Sequence, residues 1–352
     1  MGKITVLNEK VIKELLTMND VVDIVEEAYK MKNSQQADLF PIITHIFEPG
    51  KADMDIKSGH LKGNTNIFGL KLVSWFGDNI KKQFPDVIGT IMIFDATNGV
   101  PMGILSGEHI TGMRTGAAGA IGSKYLARQN SKNILMIGTG HQAFYQIAAN
   151  LMVLENIERV MVYNPHHPKS AIRFCEEIQE RLNLTVLSHY KNNEKVYKKI
   201  AHKYNINFSP VDDIKNSTGE ADIIITATPS NKPLIRAEWV KSGTHFNCIG
   251  ADMLGKQEID ENIFSNAKII VDDIEQAITV GETKVPIQEG TIKKEDIIAE
   301  IGEVIMKEKK GRNSKKDITI FDSTGIAHQD LITAFLALKK AKEKNLGTVV
   351  DL

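Results

Sequence analysis

The feature that most constrains this chain is a glycine-rich turn, Gly138-Thr139-Gly140-His141-Gln142-Ala143, between an apolar run and a helical pattern. The run Ile134 to Ile137 predicts a buried strand, and the pattern from Gln142 to Leu154 predicts a helix. In such a unit the first glycine permits the tight turn, the second lets backbone approach a pyrophosphate at the helix N-terminus, and the alanine allows close helix packing. The turn therefore predicts a dinucleotide site.

The next predicted strand, Arg159 to Tyr163, ends beside Asn164, about 24 residues after Gly140, where this fold places the residue that contacts the adenosine ribose. An acidic residue there would favour NAD. Asn164 can bond to a ribose hydroxyl and does not repel a 2′-phosphate, so NAD and NADP both remain open as the cofactor. The candidate cofactor contacts up to this point are Gly138, Thr139, Gly140, His141, Gln142 and Asn164, with His141 expected to cover the cofactor rather than act as a base.

Strands and helices alternate after residue 133, which predicts a parallel, doubly wound sheet. Before it, the segment from Ile67 to Leu105 is rich in Ile, Val and Phe, and its Asn98-Gly99 pair predicts a hairpin in a mostly antiparallel sheet. An early helix is predicted after the capping pair Asn19-Asp20. A helix rich in small residues is predicted from Ile110 to Arg128, where its glycines allow close packing. The polar segment Thr185 to Asn205 is interpreted as a surface insertion.

Composition excludes several classes of function. Lys+Arg 43 against Asp+Glu 44 gives a net charge of -1, so no global field would attract nucleic acid or an anionic membrane. The sequence contains neither an apolar signal-peptide core nor a run of about 18 apolar residues. The two cysteines, Cys175 and Cys248, are too few for a disulfide framework or a thiolate zinc site. We therefore expect a cytoplasmic protein without a metal ion.

Five stretches, in order across nearly the whole chain, resemble the ornithine cyclodeaminase and mu-crystallin family. They are Gly69 to Val73, Arg114 to Ala118, Gly138 to Gln142, Ile249 to Asp260 and Phe321 to Gly325. The resemblance implies an α/β protein: an α+β substrate-binding and dimerisation domain over 1–126, a Rossmann-type NAD(P)-binding domain over 127–324, and a C-terminal helix over 325–352 that returns to the first domain. It also implies a homodimer.

Family members act, with a nicotinamide cofactor, on the bond between a nitrogen and the carbon alpha to a carboxylate. That chemistry needs cations for the carboxylate and an acid or base near the nitrogen. The resemblance implies that Arg114 binds the carboxylate, that Lys71 contacts the carboxylate or the alpha carbon, and that Lys57 adds a second cation. It implies that Asp252 exchanges the proton of the nitrogen. Each residue also has a purely structural alternative. Arg114 could form a surface salt bridge or a structural cap, and Lys71 could lie on an edge strand with its ammonium group in water. Asp252 could stabilise a turn.

Further positions are implied to lie close to the cofactor, some beside the nicotinamide: Thr90, Thr115, Thr226, Thr228, Ile249, Lys256 and Ser323. His328, at the start of the last helix, is expected to be structural. One departure concerns the substrate pocket, because this chain has Pro41-Ile42-Ile43-Thr44-His45 where many relatives carry an arginine shortly after a proline. A Thr or His there could widen or repolarise the pocket.

The leading hypothesis is an NAD(P)H-dependent reductase of a 2-imino acid or ketimine, or in reverse an L-amino-acid dehydrogenase. The resemblance is greatest to the branch of iminosuccinate and related imino-acid reductases. The first alternative is ornithine cyclodeaminase, a lyase that forms proline and ammonia with no net change in bound NAD. The second is a non-catalytic NAD(P)-binding protein of the crystallin type. Retention of Lys71, Arg114 and Asp252 argues against the second alternative.

Overall fold

A computed structural model describes residues 2–351. These residues form two compact units, of which the first comprises the chain up to Arg114 and again from Ile326 onward, and the second comprises Thr115–Gly325. The predicted boundary at residue 126 is the end of a helix, whereas the units divide inside that helix. The C-terminal helix belongs to the first unit.

The first unit opens with a strand, two helices and six further strands, followed by a long helix that continues into the second unit. In chain order these elements are β1 (Lys3–Leu7), α1 (Glu9–Leu15), α2 (Met18–Asn33), β2 (Ala37–Leu39), β3 (Ile43–Glu48), β4 (Ala52–Leu61), β5 (Ile67–Phe76), β6 (Val87–Asp95), β7 (Pro101–Ser106) and α3 (Glu108–Leu126).

The second unit alternates strands with helices, and the chain then returns to the first unit. The second unit contains β8 (Asn133–Ile137), α4 (His141–Val153), β9 (Arg159–Tyr163), α5 (Pro168–Thr185), α6 (Glu194–Tyr204), β10 (Asn207–Pro210), α7 (Ile214–Glu220), β11 (Ile223–Thr226), β12 (Asn231–Ile235), β13 (His245–Cys248), β14 (Gln257–Ile259), β15 (Ala267–Val271), α8 (Ile274–Val280), α9 (Lys284–Gln288), β16 (Ile297–Glu300), α10 (Ile301–Ile305) and β17 (Ile318–Asp322). The first unit is completed by α11 (Ala327–Lys344) and β18 (Thr348–Asp351).

The sheet of the first unit has the strand order β18-β1-β7-β6-β5-β4-β2, and β3 also pairs with β4. Strands β4 to β7 pair antiparallel, and β6 and β7 form the hairpin predicted at Asn98-Gly99. Gly99 adopts the left-handed conformation, with φ at 76°, which explains the glycine in this turn. Helix α11 packs against β4, β5 and α2, so it lies over the centre of this sheet.

The sheet of the second unit is parallel throughout, with the order β10-β9-β8-β11-β13-β17-β15-β16. The predicted doubly wound sheet is therefore confirmed. The strand order reverses between β8 and β11, the position at which such sheets bind ligands. The central strands are buried on both faces, which is why their sequences are short, nearly continuous apolar runs such as Ile223–Thr226.

Helix α2 begins two residues earlier than Asn19-Asp20 would place it. Its N-cap is Thr17, whose hydroxyl accepts a hydrogen bond from the backbone N–H of Asp20 at 3.2 Å. The same hydroxyl donates to the Asp20 carboxylate at 2.5 Å. The capping prediction was wrong because threonine also caps well, and an acidic residue at the third position stabilises this start in return.

The segment Thr185 to Asn205 is not only a surface insertion. Most of it forms α6, whose Ile200 and Tyr204 side chains are buried, and Leu187 just before it is also buried. The Tyr204 hydroxyl donates to the backbone oxygen of Ala148 at 3.0 Å, which joins α6 to α4. The lysines of this segment concealed the buried face in the sequence, because Lys195, Lys198 and Lys199 lie on the exposed side of the same amphipathic helix.

The small residues of α3 serve close packing, as predicted. A Cβ atom on Gly116 would lie 2.4 Å from the backbone oxygen of Tyr145, and one on Gly119 would lie 2.0 Å from Gln146 Oε1. The Gln146 amide donates to the backbone oxygen of Thr115 at 2.8 Å. The C-terminal part of α3 therefore rests directly on α4, and larger side chains would separate the two helices.

Candidate functional site

Two of the predicted cations lie side by side in the sheet of the first unit. Lys57 on β4 and Lys71 on β5 are directly paired residues, and both are buried. Lys71 follows Ile67 and Gly69 on the same face of β5, the face buried in the core. Because side chains alternate between the two faces of a strand, Lys71 points into the interior of the unit, and its side chain is 1% exposed. The alternative of an edge-strand lysine reaching water is excluded, because β5 lies between β4 and β6.

Arg114 joins these lysines through an acidic residue that the sequence interpretation missed. Asp330 on α11 is fully buried, and its Oδ1 atom accepts hydrogen bonds from Lys71 Nζ at 2.8 Å and from Arg114 Nε at 3.0 Å. Arg114 also donates from Nη1 to Gln329 Oε1 at 2.9 Å, and the Gln329 amide in turn contacts the Tyr29 hydroxyl. Residues 57, 71, 114 and 330 are hereafter called the cation cluster.

The electrostatics of the cation cluster are set by burial and by like charges. Burial, together with the like charges of Arg114 and Lys57, lowers the pKa of Lys71 to about 7, although Asp330 opposes that shift. Burial alone would raise the pKa of Asp330, but attraction by Arg114 and Lys71 outweighs it and the pKa lies below its ordinary value. The cluster therefore holds an ionised carboxylate beside a lysine that can change charge near neutral pH.

One signal in the sequence could have revealed Asp330. It directly precedes the apolar residues Leu331 and Ile332 in the helix that begins at Ala327, and the structure shows that nearly every neighbour over the first two turns is buried. An acidic residue on a buried helix face requires cationic partners, because an unpaired buried charge is costly. His328, expected to be structural, is fully buried beside Gly59, where a Cβ atom would lie 3.1 Å from its ring nitrogen Nε2.

The glycine-rich turn of the second unit has the geometry a dinucleotide phosphate needs. Gly138 has φ at 107°, and a Cβ atom there would lie 2.5 Å from the backbone oxygen of Ala227. Gly140 is the N-cap of α4 and makes no side-chain capping bond, and a Cβ atom on it would meet nothing within 4 Å. The space beside Gly140 at the start of α4 is thus open, and a helix N-terminus offers N–H donors, so the turn fits a pyrophosphate group.

Asn164 is fixed by three hydrogen bonds at the end of β9. Its Nδ2 donates to Thr139 Oγ1 at 2.8 Å, within the glycine-rich turn. Its Oδ1 accepts from the backbone N–H groups of His166 at 3.1 Å and His167 at 2.9 Å. Asn164 therefore connects two of the predicted cofactor-contacting loops. The side chains of His141 and His166 are exposed.

Three of the predicted contacts lie at the carboxyl ends of neighbouring strands and are buried. Thr226 ends β11, Ile249 follows β13 and donates from its backbone N–H to Thr226 at 2.9 Å, and Ser323 follows β17. Ser323 Oγ donates to Asp272 at 3.1 Å. Thr228 donates to Glu258 Oε1 from its backbone N–H at 2.6 Å and from its hydroxyl at 2.7 Å. Thr226, Ile249 and Ser323 thus mark the carboxyl ends of three neighbouring strands, the edge where such sheets bind ligands.

Several buried carboxyl groups lie close to these strand ends and have raised pKa values. Burial raises the pKa of Asp322 to about 7, although Thr283 donates to it from its hydroxyl at 2.6 Å and from its backbone N–H at 2.8 Å. The pKa values of Glu258, Glu282 and Asp272 are raised for the same reason, burial. A set of neighbouring buried acids cannot all ionise cheaply, so some of them hold protons near neutral pH.

Asp252 lies in the loop after β13, in the second unit. Its Oδ1 accepts a hydrogen bond from Lys256 Nζ at 2.6 Å, and its side chain is 44% exposed. Lys256, expected near the cofactor, is therefore paired with the predicted proton-transfer residue. Thr90 is exposed on β6 of the first unit, whereas Thr115 is buried where the second unit begins.

The position without the arginine of many relatives lies on β3. Thr44 donates from its hydroxyl to Asp55 Oδ1 at 2.6 Å on the paired strand β4. On the exposed strand β3, the hydroxyl of Thr44 is thus held by the carboxylate of Asp55 on β4.

Across residues 2–351, no helix is long and apolar enough to cross a membrane. In the same range, no three His, Cys, Asp or Glu side chains cluster in a way that could hold a metal ion.

Comparison with known proteins identifies relatives along the whole chain. The model of the ornithine cyclodeaminase/mu-crystallin family matches residues 3–198 and 178–345. An alanine dehydrogenase of Archaeoglobus fulgidus is 36% identical over 98% of this chain and 97% of its own length. An iminosuccinate reductase of Paracoccus denitrificans is 30% identical over 99% of both chains.

Solved structures give the same result. An archaeal alanine dehydrogenase dimer with bound NAD has a TM-score of 0.88 and 35% identity, and the match covers 100% of both chains. A Delta(1)-pyrroline-2-carboxylate reductase of Thermococcus litoralis, in complex with NADH and L-proline, has a TM-score of 0.85 and 31% identity. That match covers 98% of this chain and 99% of the other. The fold is therefore that of nicotinamide-binding enzymes with a second domain.

Proposed function

Because the chain belongs to the ornithine cyclodeaminase/mu-crystallin family, we propose that it is an NAD(P)H-dependent reductase of 2-imino acids or cyclic ketimines. In the reverse direction it would oxidise L-amino acids. Its relative from Archaeoglobus fulgidus is named an alanine dehydrogenase, which is an activity of that kind. The observation that carries this proposal is the cation cluster, in which three basic side chains surround one acidic side chain inside the first unit. The excess of basic groups suits a substrate that carries a carboxylate.

The first unit would bind the substrate carboxylate. Arg114 has five N–H donors, and Asp330 and Gln329 take up one each at Nε and Nη1. The donors at the end of the guanidinium suit a carboxylate, which accepts two parallel hydrogen bonds from that plane. Lys57 and Lys71 would add positive charge beside it. Lys71, with its pKa near 7, could also exchange a proton with the substrate.

The second unit would bind the cofactor. The N–H groups at the start of α4 would hold the pyrophosphate, with Gly138, Thr139, Gly140, His141 and Gln142 around it. When bound, the nicotinamide supplies the hydride that is added to the alpha carbon of the imine. Thr226, Thr228, Ile249 and Ser323 would lie near the nicotinamide, and Thr115, Asn164 and Lys256 would complete the cofactor contacts of this unit.

Asp252 would donate a proton to the substrate nitrogen in reduction and accept one from it in the reverse reaction. Reduction converts an imine, a proton and a hydride into an amine, so a group near the nitrogen must control that proton. A partly exposed carboxylate on a loop after a sheet strand can do so. Its ion pair with Lys256 gives it a fixed position before substrate binds.

The exposed face of the first unit would form a homodimer. Ile43, Ile46 and Phe47 on β3 are each more than half exposed, so this short strand carries three exposed apolar side chains. Val87 and Ile88 on β6 add exposed apolar area in the same sheet. Such a surface normally has a partner, and the archaeal alanine dehydrogenase relative is a dimer. We expect the protein to act in the cytoplasm on a small amino or imino acid, with neither a nucleic acid nor a membrane as partner.

The test is an assay of purified protein with NADH or NADPH. The substrates are Delta(1)-pyrroline-2-carboxylate and a panel of 2-oxo acids with ammonium or methylamine. We expect cofactor oxidation that is lost in Asp252→Asn and Arg114→Ala. The matched controls Asp78→Asn and Arg173→Ala remove exposed charges elsewhere and should retain activity.

Two other outcomes would contradict this function. Ammonia and proline formed from L-ornithine and NAD, with no net change in NADH absorbance, would make the protein a cyclodeaminase. Tight binding of NAD(P) with no turnover of any amino or imino acid would make it a crystallin-type binding protein.

A further inference from the structure

A single carboxylate oxygen organises both cations that would meet the substrate. Asp330 Oδ1 lies 2.8 Å from Lys71 Nζ and 3.0 Å from Arg114 Nε. Lys71 and Arg114 lie on different elements, β5 and α3, and their like charges repel each other. Without a shared anion these two side chains would not remain together in a buried site.

The same arrangement fixes the direction in which Arg114 presents its donors. Asp330 takes the Nε side of the guanidinium, and Gln329 takes a hydrogen on Nη1. Gln329 is itself held by Tyr29 of α2. The guanidinium plane is therefore fixed from two adjacent positions on α11, which leaves its outer end for another anion.

We propose that Asp330 is a positioning residue for substrate recognition, which holds Lys71 and Arg114 together and directs the outer end of the guanidinium toward the substrate carboxylate. This inference rests on the function proposed above. Asp330 does not touch the reacting atoms. Its contribution is to preorganise two cations, so that the substrate does not have to bring them together on binding.

Asp330 also sets the charge of Lys71. The charged groups that face Lys71 are Arg114 from α3, Lys57 from β4 and Asp330 from α11. The two cations and burial favour the neutral amine, and Asp330 alone among the three favours the ammonium. Loss of the Asp330 charge should therefore make Lys71 release its proton at lower pH.

The experiment compares wild type with the isosteric variant Asp330→Asn. Calorimetry on the NADH-saturated protein measures the affinity for L-proline and L-alanine between pH 5.5 and 9. In wild type we expect the affinity to fall as Lys71 loses its proton near pH 7. In Asp330→Asn we expect at least about tenfold weaker binding at pH 7, with the midpoint moved down by about one pH unit or more.

Two further variants separate charge from position. Lys71→Arg keeps its charge over this range, so the pH midpoint should disappear if Lys71 is the titrating group. Asp330→Glu keeps the negative charge but displaces it by one methylene, so affinity should fall while the midpoint stays near that of wild type. Asp330→Glu can also be measured if Asp330→Asn fails to fold. If Asp330 had only a structural role, Asp330→Glu would lower the thermal midpoint, but the molecules that remain folded would bind the amino acid as tightly as wild type.

The two proposals fail in different ways. If wild type turns over no imino acid and binds neither amino acid, the proposed function is wrong. If wild type binds and turns over substrate but Asp330→Asn or Asp330→Glu binds as tightly with an unchanged midpoint, the role of Asp330 is overturned and the function stands.

Discussion

Asn164 donates a hydrogen bond from Nδ2 to Thr139 Oγ1 at 2.8 Å, and its Oδ1 already accepts two backbone N–H groups. The acceptor capacity of this side chain is therefore used, and what remains is one N–H donor. An acidic residue at this position would accept bonds from the ribose hydroxyls of NADH. In this conformation Asn164 cannot accept a hydrogen bond from a ribose hydroxyl. It can only donate one, so of the contacts expected from the sequence only a donated bond remains.

We therefore expect the protein to accept NADPH, with a kcat/KM within about tenfold of that for NADH or above it. The variant Asn164→Asp should shift the ratio toward NADH by at least about tenfold, because a carboxylate repels a 2′-phosphate. The Thr139 hydroxyl can donate to the new carboxylate, so the turn should persist. Calorimetry with 2′,5′-ADP and 5′-ADP gives a readout that does not depend on turnover. Asn98→Asp, in the hairpin of the first unit, is the charge-matched control, and equal ratios in both variants would contradict this role.

The two glycines of the dinucleotide turn should respond differently to alanine. Gly138→Ala places a Cβ atom 2.5 Å from a backbone oxygen at a φ of 107°, so we expect a loss of stability of about 2 kcal/mol or more. Gly140→Ala has open space and an ordinary φ of -74°, so the thermal midpoint should hardly change. Its methyl group would instead occupy the phosphate position. NADH affinity, followed by fluorescence, should fall at least about tenfold. Full NADH affinity in Gly140→Ala would show that the pyrophosphate does not bind there.

Asp322 predicts how stability depends on pH. Its pKa is raised to about 7 in the folded chain, above its ordinary value of 3.8, so the folded state keeps a proton that the unfolded state releases. This contribution is fully present below about pH 4 and is lost as pH rises to about 7, by about 4 kcal/mol. The other buried acids act in the same direction.

Asp322→Asn should therefore remove part of this loss. Urea unfolding at pH 5 and pH 8 should give a smaller difference in unfolding free energy for Asp322→Asn than for wild type. The exposed Asp78→Asn is the control and should leave that difference unchanged. An equal difference between pH 5 and pH 8 in Asp322→Asn and in wild type would mean that Asp322 is ionised at little cost in the folded chain.

The buried face of α6 can be tested at Tyr204. The variant Tyr204→Phe removes the hydrogen bond to the backbone oxygen of Ala148 and leaves that buried oxygen with one partner fewer. We expect a loss of about 1 kcal/mol in unfolding free energy. Tyr197→Phe, on the same helix and less buried, should change stability little. Equal effects of the two variants would mean that α6 does not pack on α4 through Tyr204.

The sequence predicted the second unit well because its signals are local. The glycine-rich turn, the apolar strands around it and the helix after it all lie within about twenty residues, and each depends on backbone geometry or on burial of the segment itself. Strand β9 and the hairpin at Asn98-Gly99 were predicted for the same reason. The start of α2 was misplaced because the sequence prediction considered Asn19-Asp20 and not Thr17, which the folded chain shows to be the N-cap.

The sequence by itself therefore determined the parallel nucleotide-binding sheet, the mostly antiparallel first sheet and, through the family motifs, Lys71 and Arg114 as candidate residues. Only the tertiary structure decided that Asp330 joins them, since 259 residues separate it from Lys71 and 216 from Arg114. It also decided that Lys71 is buried rather than in water, and that the oxygen of Asn164 is already used. The physical reason is that pKa values and hydrogen-bond partners depend on neighbours brought together by folding, and no local pattern encodes them.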